Sequence, residues 1–295
     1  MLSVIIVNWN VKNLLIKNLE SIFSFTKNID YEIIVVDNGS TDGSAEELNK
    51  KFSREVAAGK LKILDTKKNN GFSRGNNIGF EASKGDYVLF MNPDMELVEN
   101  SFKILENYLK SHLDVGAVSC ILRYPDDTLQ KSVKGFPTLF SQAIILLKLH
   151  HLLFWFGPVK RYLARDFDYS KEQEAKQLMG AFIMMRREVF EKIGKWDEDY
   201  WLFWEDVELA YQLKKNSIKT TYIPNTKVVH HESKSFEQQA NLARQRSFNK
   251  GMLIYFKKHG SKFDYFILKL LQPWSLFLAM LTQMLRIRMR QQSRI

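Results

Sequence analysis

The stretch Val35-Val36-Asp37-Asn38-Gly39-Ser40-Thr41-Asp42-Gly43-Ser44 ends an apolar run on a carboxylate and turns through small polar residues into a helical pattern. Upstream, Tyr31–Val36 is almost continuously apolar, as a strand buried on both faces must be. Downstream, Ser44–Phe52 carries Glu46 and Glu47 in its first turn, where the helix dipole favours acids. The same succession repeats through the first half of the chain. Leu2–Val7, Leu61–Leu64, Tyr87–Met91 and Val115–Leu122 read as strands, while Asn13–Phe25, Ser73–Lys84 and Ser101–His112 read as helices. Repeated units of this length predict an α/β fold, a doubly wound and mostly parallel sheet flanked by helices. Such sheets bind ligands beyond the carboxyl ends of their strands, which points to Asp37–Ser40 and Asn92–Asp94.

Composition narrows the class. The 295 residues are 45% apolar and 26% charged, neither a disordered chain nor an ordinary polytopic membrane protein. A single cysteine, Cys120, excludes an intrachain disulfide framework and fits a reducing cytoplasm. Met1–Val7 lacks a basic leader and a small-residue cleavage site, so it reads as the first core strand rather than a signal peptide.

Four segments carry candidate chemistry. Asp37 can accept hydrogen bonds from a base imide or from ribose hydroxyls, although an Asx turn closing a βα loop uses the same residue types. Asn69–Gly79 crowds three glycines, four asparagines and Arg74 around a helix start. There Gly71 permits close approach, Asn70 and Asn77 can read polar edges, and Arg74 can neutralise a diphosphate. Asn92-Pro93-Asp94 follows a strand end and offers a hard divalent cation one carboxylate and one amide oxygen, although an Asn-Pro-Asp turn also arises for local reasons alone. In Trp196–Glu208, carboxylates including Glu205 and Asp206 lie among five large aromatic residues. Apolar walls raise a carboxylate's pKa toward the range of a general base, and aromatic faces stack on sugar rings. The same acids also suit a helix N-terminus through the macrodipole alone. His230, at the end of Val228–His231, can join Asp94 at a metal as neutral imidazole, although such histidine pairs are often structural. His150 and His151 receive no role.

The net charge of +10 is concentrated at the C-terminus. From Lys257 to Ile295 eight lysines and arginines stand against one aspartate, interleaved with the apolar runs Tyr265–Leu271 and Trp274–Leu285. Basic residues flanking apolar helices suit an anionic membrane surface better than nucleic acid. Leu139–Gly157 is also apolar and aromatic, but Lys148, His150 and His151 make full membrane insertion costly, so an interfacial helix or buried hairpin is expected.

Val7-Asn8-Trp9-Asn10, Val36–Ser40, Asn70–Asn77, Asn92-Pro93-Asp94, Gly180-Ala181, Glu205-Asp206 and Val229-His230 together resemble the family-2 glycosyltransferases of the GT-A fold, over roughly residues 2–235. Within them the match is to the rhamnosyltransferase branch. The resemblance implies a GT-A domain over 1–235, with a nucleotide-binding half (1–122) and an acceptor-binding half (123–235), and a C-terminal helical, basic and apolar extension over 236–295. It implies donor contacts at Asn8, Asp37, Asn70, Gly71, Arg74, Asn77, Asn92, Gly180 and Ala181, with Mg²⁺ or Mn²⁺ held by Asp94 and His230. Asp206 matches the catalytic base, and Glu205 is the reserve base. Asn92 departs from the family's Asp-x-Asp pattern by replacing its first aspartate, which leaves the metal one carboxylate fewer.

The implied activity is inverting, metal-dependent transfer of a hexosyl-class sugar, rhamnose favoured, from dTDP-rhamnose or a UDP-sugar. The implied acceptor is a saccharide or lipid-linked molecule in cell-surface polysaccharide synthesis. The enzyme would sit in the cytoplasm, peripheral at the inner face of the membrane, and bind no nucleic acid. The alternative is a non-catalytic nucleotide-sugar-binding module. A dinucleotide-dependent oxidoreductase is disfavoured, because Val7-Asn8-Trp9-Asn10 stands where a Gly-x-Gly-x-x-Gly turn belongs.

Overall fold

The structure is a computed structural model that describes residues 1–231 and 241–292, so the expected domain boundary at 235/236 falls outside the described residues. Strands β1 (Leu2–Asn8), β2 (Tyr31–Asp37), β3 (Leu61–Asp65) and β4 (Tyr87–Met91) alternate with helices α1 (Lys12–Phe25), α2 (Ser44–Lys51), α3 (Ser53–Ala57) and α4 (Phe72–Glu81). Then come β5 (Met95–Leu97), α5 (Ser101–Ser111), β6 (Val115–Arg123), β7 (Leu129–Gln130) and β8 (Val133–Lys134). The next segment holds α6 (Leu139–Leu146), a 3₁₀ turn at Leu149–His151 and α7 (Gly157–Tyr162). It leads to β9 (Gln173–Glu174), β10 (Gln177–Leu178), β11 (Phe182–Arg186), α8 (Arg187–Lys192), α9 (Glu205–Lys215) and β12 (Lys219–His230). Helices α10 (Asn241–His259), α11 (Lys262–Leu270) and α12 (Gln272–Gln292) close the described chain.

The main sheet runs β3-β2-β1-β4-β11-β6-β12-β5. Six of those eight strands point one way; only β11 and β5 are reversed. In the parallel half Leu2 pairs with both Tyr31 and Tyr87, so the ends of β1, β2 and β4 lie side by side at one sheet edge. The reversed β11 wedges between β4 and β6, which no strand-helix alternation in the sequence signals. It brings Ala181 to the end of β4, where the Ala181 carbonyl accepts from the Asn92 N–H at 2.8 Å.

Side chains alternate across the strands, and each face has its own core. Val4, Ile6 and Val35 pack with Leu15, Leu19, Phe102 and Leu105, whereas Ile5, Val88 and Phe90 pack with Phe80, Phe190 and Trp196 on the other face. Cys120 lies fully buried on β6, and burial raises its thiol pKa, as suits an inert packing residue.

A third apolar cluster lies away from the sheet. Tyr200, Trp204 and Val207 pack there with Leu146 of α6, Met252, Tyr255 and Phe256 of α10, and Leu268 of α11. The C-terminal helices are therefore seated on the segment that precedes α9. Lys262–Met284 is long and apolar enough to cross a membrane by length and composition, and only 17% of its most apolar window is buried. Four of the tail's basic residues lie beyond this framework: the side chains of Arg286, Arg288 and Arg290, and all of Arg294, are outside the described residues.

Candidate active site

A cleft of about 640 Å³, open to solvent, lies over the ends of β1, β2 and β4. Val7, Trp9 and Asn38 form one wall, Asn69, Gly71 and Phe72 another, and Asn92, Pro93 and Asp94 the floor. Trp201 and Leu202 close it from the loop before α9. This is where the strand-end rule placed a ligand.

The first loop is held by amides. Asn8 is buried and donates to Asp37 Oδ1 at 3.2 Å and to Ser40 Oγ at 3.0 Å. Ser40 also bonds Asp37, so one carboxylate oxygen is used within the protein. Asp37 itself is buried behind the lining, and its neighbour Asn38 faces the cleft. Asn38 Nδ2 donates to the Gly71 carbonyl at 3.0 Å while its Oδ1 accepts from the Asn70 N–H at 2.9 Å, tying the two loops together.

Gly71 has φ +82°, and a Cβ there would lie 2.5 Å from the Trp201 carbonyl oxygen and 2.6 Å from its ring. Only glycine fits, because the Trp201 loop presses directly on this backbone. That loop is fastened further. Phe72 N–H donates to the Trp201 carbonyl at 2.8 Å, and Ser73 Oγ donates to the Tyr200 carbonyl at 2.8 Å. Asn77 spends its amide on Trp196, donating to its carbonyl at 2.8 Å and accepting from its N–H at 3.2 Å. Asn77 thus braces the loop rather than reaching the cleft. Arg74 is exposed on the same helix and does not line the cleft.

Asp94 and His230 are both buried, with Nε2 3.3 Å from Oδ1. Gln130 Oε1 accepts from His230 Nδ1–H at 2.8 Å, which leaves Nε2 facing the Asp94 carboxylate. Two electron-rich groups so placed need a cation or a proton between them. Among the described residues no cluster of three or more His, Cys, Asp or Glu side chains forms a complete metal site. Two protein donors suffice for Mg²⁺ or Mn²⁺ where substrate phosphates fill the remaining positions, so Asp94 and His230 fit the expected ion.

Glu205 and Asp206 open α9. The preceding Phe203 and Trp204 both have positive φ, +67° and +74°, which bulky residues adopt only at a cost. Trp204 is held there by α10: a Cβ at Gly251 would lie 2.8 Å from the Phe203 carbonyl and 3.0 Å from Trp204 Cβ. Glu205 is buried, and its Oε2 has no hydrogen-bond partner among the described residues. Burial first, and then the Asp206 charge, push its pKa up. Burial also raises Asp206, but Lys134, the Val207 and Gly180 N–H groups and the Gln177 amide favour its ionised form. Burial thus raises both carboxylates, while the groups that favour a charged form gather around Asp206. A Cβ on Gly180 would lie 3.4 Å from Asp206 Cβ, and Ala181 follows it onto the end of β4. Gly180-Ala181 is thus the strip connecting Asp206 with Asn92 and Asp94. Sequence reasoning missed Gln130, Lys134 and Gln177, which come from two-residue strands with no pattern of their own.

Residues 3–194 match the family model described as Glycosyl transferase family 2. The chain is 26% identical over 218 residues to the N-acetylglucosaminyl-diphospho-decaprenol L-rhamnosyltransferase of Mycobacterium tuberculosis, covering 69% of this chain and 67% of that protein. It is 25% identical over 181 residues to the rhamnosyltransferase WbbL of Escherichia coli, covering 58% and 65%. A solved structure of the mannosyltransferase PcManGT from Pyrobaculum calidifontis, in complex with GDP-Man and Mn²⁺, superposes with TM-score 0.59 at 18% identity, over 94% of this chain and 72% of that one. The architecture is the GT-A fold.

Proposed function

Because the chain belongs to glycosyl transferase family 2, we propose that it is an inverting glycosyltransferase that moves a sugar, rhamnose favoured, from a nucleoside diphosphate onto a saccharide or lipid-linked acceptor. The observation that carries this reading is the junction at Gly180-Ala181. It joins the Asp94–His230 pair at the cleft floor to the Asp206 carboxylate, around which Lys134, the Gln177 amide and the Gly180 and Val207 N–H groups gather. Asp206 takes the proton from the acceptor hydroxyl as that oxygen attacks the anomeric carbon opposite the leaving diphosphate. The Gly180 N–H and the Gln177 amide hold the carboxylate in place, and Lys134 stabilises its charge. A divalent cation bound at Asp94 and His230 would offset the charge collecting on the diphosphate. Trp201 and Leu202 cover the cleft and offer apolar surface to a sugar ring.

The branch resemblance and the relatives' names favour dTDP-rhamnose, with UDP-sugars next. The diphospho-decaprenol acceptor named for the Mycobacterium tuberculosis relative supports a lipid-linked acceptor, and the O-antigen biosynthesis protein RfbC of Myxococcus xanthus, 26% identical over 220 residues, supports a role in cell-surface polysaccharide synthesis. We place the enzyme in the cytoplasm, peripheral at the inner face of the membrane. Phe263, Phe266 and Leu270 of α11, and Trp274, Phe277, Leu281 and Met284 of α12, recur at helical spacing and are exposed.

Replacing Asp206 by Asn tests the assignment. Donor-induced thermal stabilisation should persist while turnover falls by about 10²–10⁴-fold. Near-normal turnover would remove Asp206 as the base. Donor binding by the wild type without turnover on any acceptor would leave the non-catalytic module.

A further inference from the structure

An open groove lies behind the end of the Trp196–Trp204 loop, between the 3₁₀ turn at Leu149–His151 and helices α10 and α12. Lys148, His150, His151 and Arg244 line it, and no aspartate or glutamate does so among the described residues. Phe203, two residues before Glu205, forms part of its wall with Phe248 and Ala279.

The groove is built, not incidental. Lys148 donates to Gln245 Oε1; Gln245 Nε2 donates to Asn249 Oδ1 at 2.8 Å; Asn249 Oδ1 also accepts from Ser275 Oγ at 3.3 Å. One polar chain thus fixes the turn, α10 and α12 together. Lys148 is held at φ +59° to reach it. The His150 and His151 rings lie 4.0 Å apart, and His150 Nδ1 is buried without a hydrogen-bond partner among the described residues. Burial lowers the pKa of Lys148, and burial together with the neighbouring His151 and Lys148 lowers that of His150. Such a set gains from an anion. The lip beside these cations is apolar and exposed at Leu149, Leu152 and Trp155.

The geometry points to a site for the phosphate or diphosphate of a membrane lipid, its hydrocarbon leaving over Leu149, Leu152 and Trp155. Inorganic phosphate would satisfy the cations but leave that lip in water. The inference rests on the membrane placement proposed above and not on the transfer chemistry. Two lipids present this chemistry, an anionic phospholipid of the bilayer and a prenyl diphosphate of the kind that carries a lipid-linked acceptor.

Flotation of the full chain is measured on vesicles of phosphatidylcholine alone, with added phosphatidylglycerol, and with added prenyl diphosphate. The wild type is compared with the triple variant Lys148→Gln, His150→Gln, Arg244→Gln, and with Lys62→Gln, Lys84→Gln as a control for total charge. Nucleotide-induced thermal stabilisation reports that each variant is folded. The expected result is at least an about fivefold preference of wild type and control for an anionic vesicle, lost in the triple variant, whose binding to neutral vesicles is retained. A preference for the prenyl diphosphate identifies the acceptor lipid, and an equal preference identifies the bulk phospholipid. An undiminished preference in the triple variant overturns the site while leaving membrane placement intact. Flotation of the wild type on none of the vesicles overturns both. Calorimetric binding of inorganic pyrophosphate by the wild type, without any vesicle preference, overturns the lipid assignment.

Discussion

At the scale of single residues, Glu205 and Asp206 are adjacent carboxylates whose surroundings differ. Glu205 has burial and an Oε2 with no partner among the described residues; Asp206 has a lysine and three hydrogen-bond donors around it. Glu205 keeps its proton in the fold at pH values where the unfolded chain has released it, so stability declines as pH rises from its ordinary range through its raised one. Glu205→Gln should flatten that decline, and melting temperature measured across weakly acidic to alkaline buffers checks it. A wild-type slope that persists in the variant would assign the titration elsewhere. At the Asp94–His230 pair, proposed above to hold a divalent cation, Asp94→Asn should abolish the additional stabilisation that Mn²⁺ gives a bound nucleoside diphosphate in a thermal-shift titration, while binding of the nucleotide without Mn²⁺ survives. Gly71→Ala forces a Cβ into the Trp201 carbonyl at positive φ. A cost of about 1–3 kcal/mol in urea unfolding, with weakened donor binding, is expected.

At the scale of elements, the loop from Trp196 to Trp204 belongs to two partners. Asn77 and Ser73 of α4 hold its first part, and α10 holds its end. Lys258 of α10 pairs with Asp197 and, at 2.7 Å, with Asp199. His259 Nε2 lies 2.8 Å from Glu208 Oε2, which the Tyr200 hydroxyl also reaches at 2.8 Å. Glu208 is buried, so His259→Leu leaves it one partner short. That variant should lose roughly 2–3 kcal/mol and lower kcat more than donor affinity, since the donor cleft itself is untouched. Equal stability of variant and wild type would make α10 a bystander. The expectation for Leu139–Gly157, an interfacial helix or hairpin, becomes a short helix, a 3₁₀ turn and exposed aromatics, with α6 packed on the C-terminal cluster through Leu146.

At the scale of the whole molecule, the C-terminal helices serve inward and outward faces together. Leu268 and Ala279 are buried against the body, while Trp274, Phe277 and Leu281 face solvent. Trp274→Ser with Phe277→Ser should reduce vesicle flotation several-fold without changing nucleotide binding, because neither side chain touches the cleft. Truncation at Lys258 is a poorer test, since it removes His259 and Leu268 from beneath the Trp196–Trp204 loop and the start of α9.

The parallel half of the sheet, its order of strand and helix and the strand ends over which the cleft opens were legible in the sequence. Local periodicity and strand-end chemistry are properties of contiguous residues. The placement of β11 between β4 and β6 was not, nor the gathering of Gln130 beside His230 and of Lys134 and Gln177 beside Asp206, nor how differently Glu205 and Asp206 are surrounded. Those depend on which distant segments exclude water from a carboxylate and which supply donors to it. Desolvation and hydrogen bonding are set by neighbours in space, and only the folded chain brings those neighbours together.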